Sequence, residues 1–166
     1  MMRRLVFVAA ACVAATIVGP VNTASAEERV CRGALGRVTV DNLRVPAGAT
    51  CRLTGTYVKG TIKVERGAGL NARNVRVIGN VQAENHRAVT LADARVGGSV
   101  QLKQGGAANV ARNAITGDLQ SFTNRAAQSF VSNRINGNMQ CKSNVPAPTG
   151  RGNVVQGNKQ DQCRRL

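Results

Sequence analysis

A five-residue phrase returns along this chain at almost constant spacing. IGNVQ at residues 78–82 is followed by GGSVQ, TGDLQ and NGNMQ, and QGNKQ comes near the end. With the motif glycine as position 0, the starts are Gly60, Gly79, Gly98, Gly117, Gly137 and Gly157, in steps of 19, 19, 19, 20 and 20 residues. One period earlier lies Asp41, where the glycine is lost but the pattern continues. A repeat this short cannot bury its own apolar face, so successive repeats must stack and share a core along an axis.

The apolar residues fall into register under this alignment. Position +2 holds Leu43, Ile62, Val81, Val100, Leu119 and Met139, and position +4 holds Val45, Val64, Ala83, Leu102, Ser121 and Cys141. Position +10 reads Cys51, Leu70, Val89, Ala108, Ala127 and Ala147; position +12 reads Leu53, Ala72, Leu91 and Val110. Val58, Val77, Val96 and Ile115 share position +17, and one extra residue in the coil from Gly117 makes Phe130 and Ile135 arrive one place late. Alternation at +2/+4 and +10/+12 predicts two strands per repeat. Gly, Asn and Asp gather between them, at corners where positive φ is often needed. The expectation is a single all-β domain, a parallel β-solenoid of six coils: 41–59, 60–78, 79–97, 98–116, 117–136 and 137–156. At about 4.8 Å per coil the stack is roughly 30 Å long. The motif glycine is read as a tight corner and the apolar residue as inward. The glutamine is read as outward, so that Gln82, Gln101, Gln120 and Gln140 form an amide ladder.

The rest of the chain frames this stack. Arg3 and Arg4, the apolar run 5–18 and Ala24-Ser25-Ala26 read as a cleaved signal peptide, residues 1–26. The run is shorter than the roughly 20 residues of a membrane-spanning helix. Export implies an oxidising compartment, and the four cysteines after residue 26 imply two disulfides. Cys51 and Cys141 are five coils, roughly 24 Å, apart, beyond the Cα separation of about 7 Å that a disulfide tolerates. Cys51–Cys163 is further still, which leaves Cys31–Cys51 and Cys141–Cys163. Each pins a terminal segment, 27–40 or 157–166, over an end of the stack, and the expected product is a closed monomer. Lys159 stands where an inward apolar residue is due, so the regular core stops there.

The GDLQ and GNMQ repeats, the start PAGATCRLTGTYVKG and the stretch NGNMQCKSNVPAPTGRGNVVQGNKQDQC together resemble a group of secreted parallel β-helix proteins of actinobacteria with GxVQ repeats. The resemblance covers residues 38–163, and its most specific part is Cys141, the PAPTG turn and Cys163. It implies export and a right-handed β-helix, and it brings no activity with it. A weaker similarity to bactofilins is broken by the signal peptide, the disulfides and the capped ends.

Chemistry-bearing residues are sparse. Glycoside hydrolysis needs two carboxylates about 5–10 Å apart. Only Glu65 and Glu84, stacked at position +5, come close in the register, and Arg66 and Arg87 beside them suggest an ion-pair cluster. His86 is the only histidine and is expected at the surface, without a nucleophile beside it. No Cys/His spacing suits zinc, and one carboxylate pair is too few for calcium. The chain reads as non-enzymatic, without metal or cofactor; a polysaccharide-active enzyme is the least favoured alternative.

Charge is the remaining signal. Setting aside Arg3 and Arg4 from 23 Lys and Arg leaves 21, against 8 Asp and Glu, so residues 27–166 carry +13. Arginine outnumbers lysine 18 to 5, and Arg76, Arg95 and Arg134 share one outward column, with Arg112 two places earlier in the intervening coil. Guanidinium binds phosphate and carboxylate bidentately. The expected partner is an anionic polysaccharide or cell-wall polymer, met extracellularly or at the cell wall; the alternative is a structural or protein-contact module without a polymer ligand. Tyr57, Phe122 and Phe130 are the only aromatics after residue 26. Nucleic acid is therefore not expected, since the stacking platform for single strands is missing, and neither is insertion into a membrane after cleavage.

Overall fold

The computed structural model describes residues 27–166, so the signal-peptide reading of residues 1–26 lies outside the described residues. The chain winds as a parallel β-solenoid with three parallel sheets running its length. Sheet A stacks Glu28–Val30, Asn42–Val45, Ile62–Val64, Val81–Glu84, Val100–Lys103, Leu119–Phe122, Met139–Lys142 and Lys159–Asp161. Sheet B stacks seven strands from Gly33–Leu35 to Thr149–Arg151, and sheet C seven two-residue strands from Thr39–Val40 to Val154–Val155. The described residues contain no helix long and apolar enough to cross a membrane.

The register in sheet A is the expected one, with Val81 beside Ile62 and Val100, and Val100 beside Leu119. Every inward residue at +2 and +4 from Leu43 to Cys141 is buried. Each buried Val, Leu or Ile contributes about 1.5–3 kcal/mol, which is how a core nearly free of rings is assembled. Both disulfides are present, with Cα separations of 5.6 Å for Cys31–Cys51 and 5.2 Å for Cys141–Cys163.

Four expectations need correction. There are three strands per coil, since position +17 belongs to sheet C; a two-residue strand is too short to display alternation. Position +10 of the last two coils is held by Gln128 and Pro148, because Ala108 pairs with Gln128 and Ser129 with Thr149. The extra residue sits in the corner before sheet B, which pushes Ala127 and Ala147 outward to exposed positions.

The motif glycine is the third correction, for it does not need positive φ. Left-handed backbone sits instead at other corners, in the column Gly55, Asn74, Asp93, Arg112, Ser132 and Gly152 and at Asn85, Gln104, Thr123 and Ser143. The motif glycine is dictated by close approach between coils. A Cβ on Gly98 would lie 2.3 Å from Asn80 Oδ1 and 2.8 Å from the Gly79 carbonyl oxygen. That clearance lets the Gly98 amide donate to Gly79 O at 2.9 Å and Gly117 to Gly98 O at 3.0 Å. The residue after each glycine completes the column. Asn80 Oδ1 accepts from Ser99 N at 2.8 Å, Ser99 Oγ from Asp118 N at 3.0 Å, and Asp118 Oδ1 from Asn138 N at 2.7 Å.

The fourth concerns the ends. Segment 27–40 is a short coil of the stack, contributing one strand to each sheet. The last residues do fold over their end: Lys159 Nζ donates to the Leu166 carbonyl, Cys163 is buried, and Leu166 packs against the core. No described segment covers the outer edge of the first coil.

Candidate polyanion-binding face

Sheet C positions the expected arginines. Its inward residues are Val58, Val77, Val96, Ile115 and Ile135, so the neighbours one place earlier face out. Register pairs Tyr57 with Arg76, Arg76 with Arg95, Arg95 with Ala114, and Ala114 with Arg134. Arg76 and Arg95 are one coil apart, about 4.8 Å along the axis, and Arg134 lies two coils further, about 10 Å. All three are exposed. The Arg76 guanidinium carbon stands 5.5 Å from the Tyr57 ring centroid, a cation–π contact that steadies the first of the three.

A shallow depression of about 340 Å³ is found elsewhere, at the first coil, but sheet C has its own of about 310 Å³. Arg76 and Arg95 line it along one side, Ile78, Gly97 and Thr116 along the other, and Ala114 marks the gap in the arginine column. None of Arg76, Arg95 and Arg134 has a carboxylate within salt-bridge distance among the described residues; the four such contacts involve Arg44, Lys59 and Arg112.

Arg112 does not join this column. It occupies a left-handed corner, φ 56°, between sheets B and C. There it donates two hydrogen bonds to Asp93, Nε–Oδ1 at 2.7 Å and Nη2–Oδ2 at 2.8 Å. The pair holds the Asp93 carboxyl below its ordinary value and pushes the Arg112 guanidinium up, so this arginine is already matched. Sequence reasoning missed Arg73 and Arg151, which sit in the column beside that corner, Arg73 between Thr54 and Ala92 and Arg151 next to Val131. Their shared position was the available signal.

The glutamines do stack. Gln82, Gln101, Gln120, Gln140 and also Gln160 pair in consecutive strands, and Gln120 Nε2 donates to Gln140 Oε1 at 3.2 Å. Lys63 and Arg44 continue the column towards the N-terminal end.

Of the acid pair, Glu65 is engaged by neighbouring coils. Glu65 accepts the Ala47 amide at 3.0 Å and lies 3.6 Å from Arg44, which also binds Glu28 at 2.6 Å. Arg44, not Arg66 or Arg87, is thus its partner; Arg87 donates instead to Thr50 Oγ1 at 2.8 Å. Among the described residues no three His, Cys, Asp or Glu side chains converge.

His86 is buried, contrary to expectation, at 2 % exposure. It turns inward at the corner between sheets A and B, where the next coil supplies Gly105, on which a Cβ would lie 2.2 Å from the ring. Nδ1 is 3.3 Å from Ala83 O, Nε2 has no partner, and burial pushes the imidazole pKa down.

Two inward amide ladders also escaped the sequence reading. Asn113, Asn133 and Asn153 form one, and Asn124, Asn144 and Gln162 the other, each amide donating to backbone or to the amide of an adjacent coil. They close the corners from inside, where a backbone turn would leave buried polar groups unpaired.

No family model, curated protein or solved structure matched this chain.

Proposed function

We propose that the protein is exported and binds anionic envelope or extracellular polymers along sheet C, without catalysing a reaction. The observation that carries this reading is the column of Arg76, Arg95 and Arg134, with no acid within salt-bridge distance among the described residues. Like charges opposite one another in a sheet are destabilising, and a polymer bearing phosphate or carboxylate groups relieves that repulsion while satisfying each guanidinium bidentately. Two disulfides fit an oxidising destination. Arg73 and Arg151 at the adjoining corner extend the positive field that gathers a polyanion. The flat outer face of sheet B, with Ala88, Thr90, Ala107 and Asn109, is the surface that a protein-contact role would use instead.

The test is co-sedimentation with isolated cell envelope and with purified anionic polymers over a salt series. The comparison is a variant with Arg76, Arg95 and Arg134 changed to Gln, and a second that moves those three charges to other outward positions. Binding that falls with salt and is lost in both variants supports the site. Equal binding by the relocated variant would reduce the charge to general adhesion, and no binding by any form would favour the protein-contact role.

A further inference from the structure

The two ends of the solenoid are built differently. At the C-terminal end the chain turns back over the last coil, with Leu166 against the core. At the N-terminal end the inward positions of the first coil are filled and then left uncovered by any described residue. Leu35 pairs with inward Leu53, Val40 with inward Val58, and Val38 O accepts from Tyr57 N, beside inward Thr56. Val38 is 45 % exposed. With Glu27 and Asp41 on the rim and Arg29 in the inward place beside Leu43, Leu35, Val38 and Val40 line a cavity of about 340 Å³ that is the open end of the core. Each strand of this coil has a hydrogen-bonded neighbour on one side only, the arrangement that templates pairing with another chain.

Charge names the occupant. Residues 27–41 carry three acids, Glu27, Glu28 and Asp41, and three bases, Arg29, Arg32 and Arg37. Residues 42–166 carry the other 18 bases and 5 acids, so the whole excess of +13 lies beyond the first coil. A polyanion gains nothing from a balanced rim, and it has no apolar surface to cover Leu35, Val38 and Val40. A second copy offers both, through the same patch in a two-fold, self-complementary interface. The N-terminal end is also where two copies of so basic a chain meet with least repulsion.

We infer that the open N-terminal coil docks against that of a second copy, end to end. The apposition pairs acidic with basic rim residues and seals the two open cores against each other. It stops at two chains because, although the last coil also ends in strands paired on one side, Leu166 lies over its core and leaves no open apolar end there. This revises the monomer expected from the sequence and is independent of the polymer reading.

The experiment is sedimentation equilibrium of the exported protein at low and high salt. The expected result is a species of twice the chain mass that becomes more populated as salt screens the repulsion between the two basic bodies, opposite to polymer binding. Val38→Arg should raise the dissociation constant about ten-fold or more while leaving the unfolding midpoint unchanged at concentrations where both forms are monomeric; Gly36→Arg, on the same coil and with nothing within 4 Å of the new Cβ, serves if Val38→Arg perturbs folding. Thr39→Cys should form an intermolecular disulfide on mild oxidation, and Arg165→Cys, at the other end, should not. A monomer at every salt concentration, a dimer indifferent to both arginine substitutions, or equal cross-linking through Arg165→Cys would overturn the inference.

Discussion

Asn133 offers the sharpest check on the interior of the solenoid. Its side chain donates to Val110 O at 2.8 Å and to Asn153 Oδ1 at 2.9 Å. Its own Oδ1 accepts from Asn113 N at 3.1 Å and Asn113 Nδ2 at 3.0 Å. In Asn133→Ala one of these partners, the Asn113 amide, is left as a buried backbone group, whereas Val110 O keeps the Val131 amide in the sheet ladder. Asn113 Nδ2 and Asn153 Oδ1 each keep another partner, Leu91 O and Asn133 N respectively. An unsatisfied buried group costs about 1–3 kcal/mol, so the substitution costs roughly that much. Asn109→Ala, outward on sheet B and exposed, should stay within about 0.5 kcal/mol of the parent. Guanidinium unfolding with disulfides intact, read as a change in midpoint at constant slope, measures both. A cost below about 1 kcal/mol for Asn133→Ala, or parity with Asn109→Ala, would mean that the corners do not depend on the ladder.

Two further outcomes follow from the packing between coils. Gly98→Ala should destabilise by about 1–3 kcal/mol through overpacking against Asn80 and Gly79, whereas Gly36→Ala, with nothing within 4 Å of the new Cβ, should be neutral in the same unfolding assay. His86 predicts a pH dependence. Its folded pKa lies below the ordinary 6.5, so on acidification the unfolded chain takes up the proton first and stability falls. The loss begins as pH drops through 6.5, with a slope of at most about 1.4 kcal/mol per pH unit until the folded pKa is reached. Asp41 and Asp93 are held below 3.8 by Lys59 and Arg112 and act only in stronger acid. His86→Asn should therefore flatten stability between pH 5 and 6.5, about the window where only imidazole titrates, and a persisting slope in thermal melts there would refute the assignment.

Residue by residue, the chain was readable where one position repeats one chemistry. Leu43, Ile62, Val81, Val100, Leu119 and Met139 are apolar at a fixed spacing and all lie inside. Ala127 and Ala147 misled because an inserted residue can enter a coil at any corner, and two small apolar neighbours fit either alignment. Arg112 resembled its column mates in type, but its pairing with Asp93 depends on the adjacent coil's corner. Asn113, Asn124, Asn133 and Asn144 looked like turn residues at the corners. Asparagine suits an exposed corner and a buried one equally by composition, and only the presence of carbonyls and amides on both neighbouring coils makes burial favourable.

By itself the sequence determined the period, hence a stack of parallel coils with a shared apolar interior, and through that period the two disulfide pairings. Those follow from one-dimensional spacing, because a stacked repeat converts sequence separation directly into distance along an axis. What only the tertiary structure decided is which way the polar residues turn. The glycine clearance at Gly98, the inward imidazole of His86, the amide ladders, and the contrast between an open first coil and a covered last one depend on what the next coil, or its absence, places opposite. That is a relation between neighbouring turns, and no single repeat contains it.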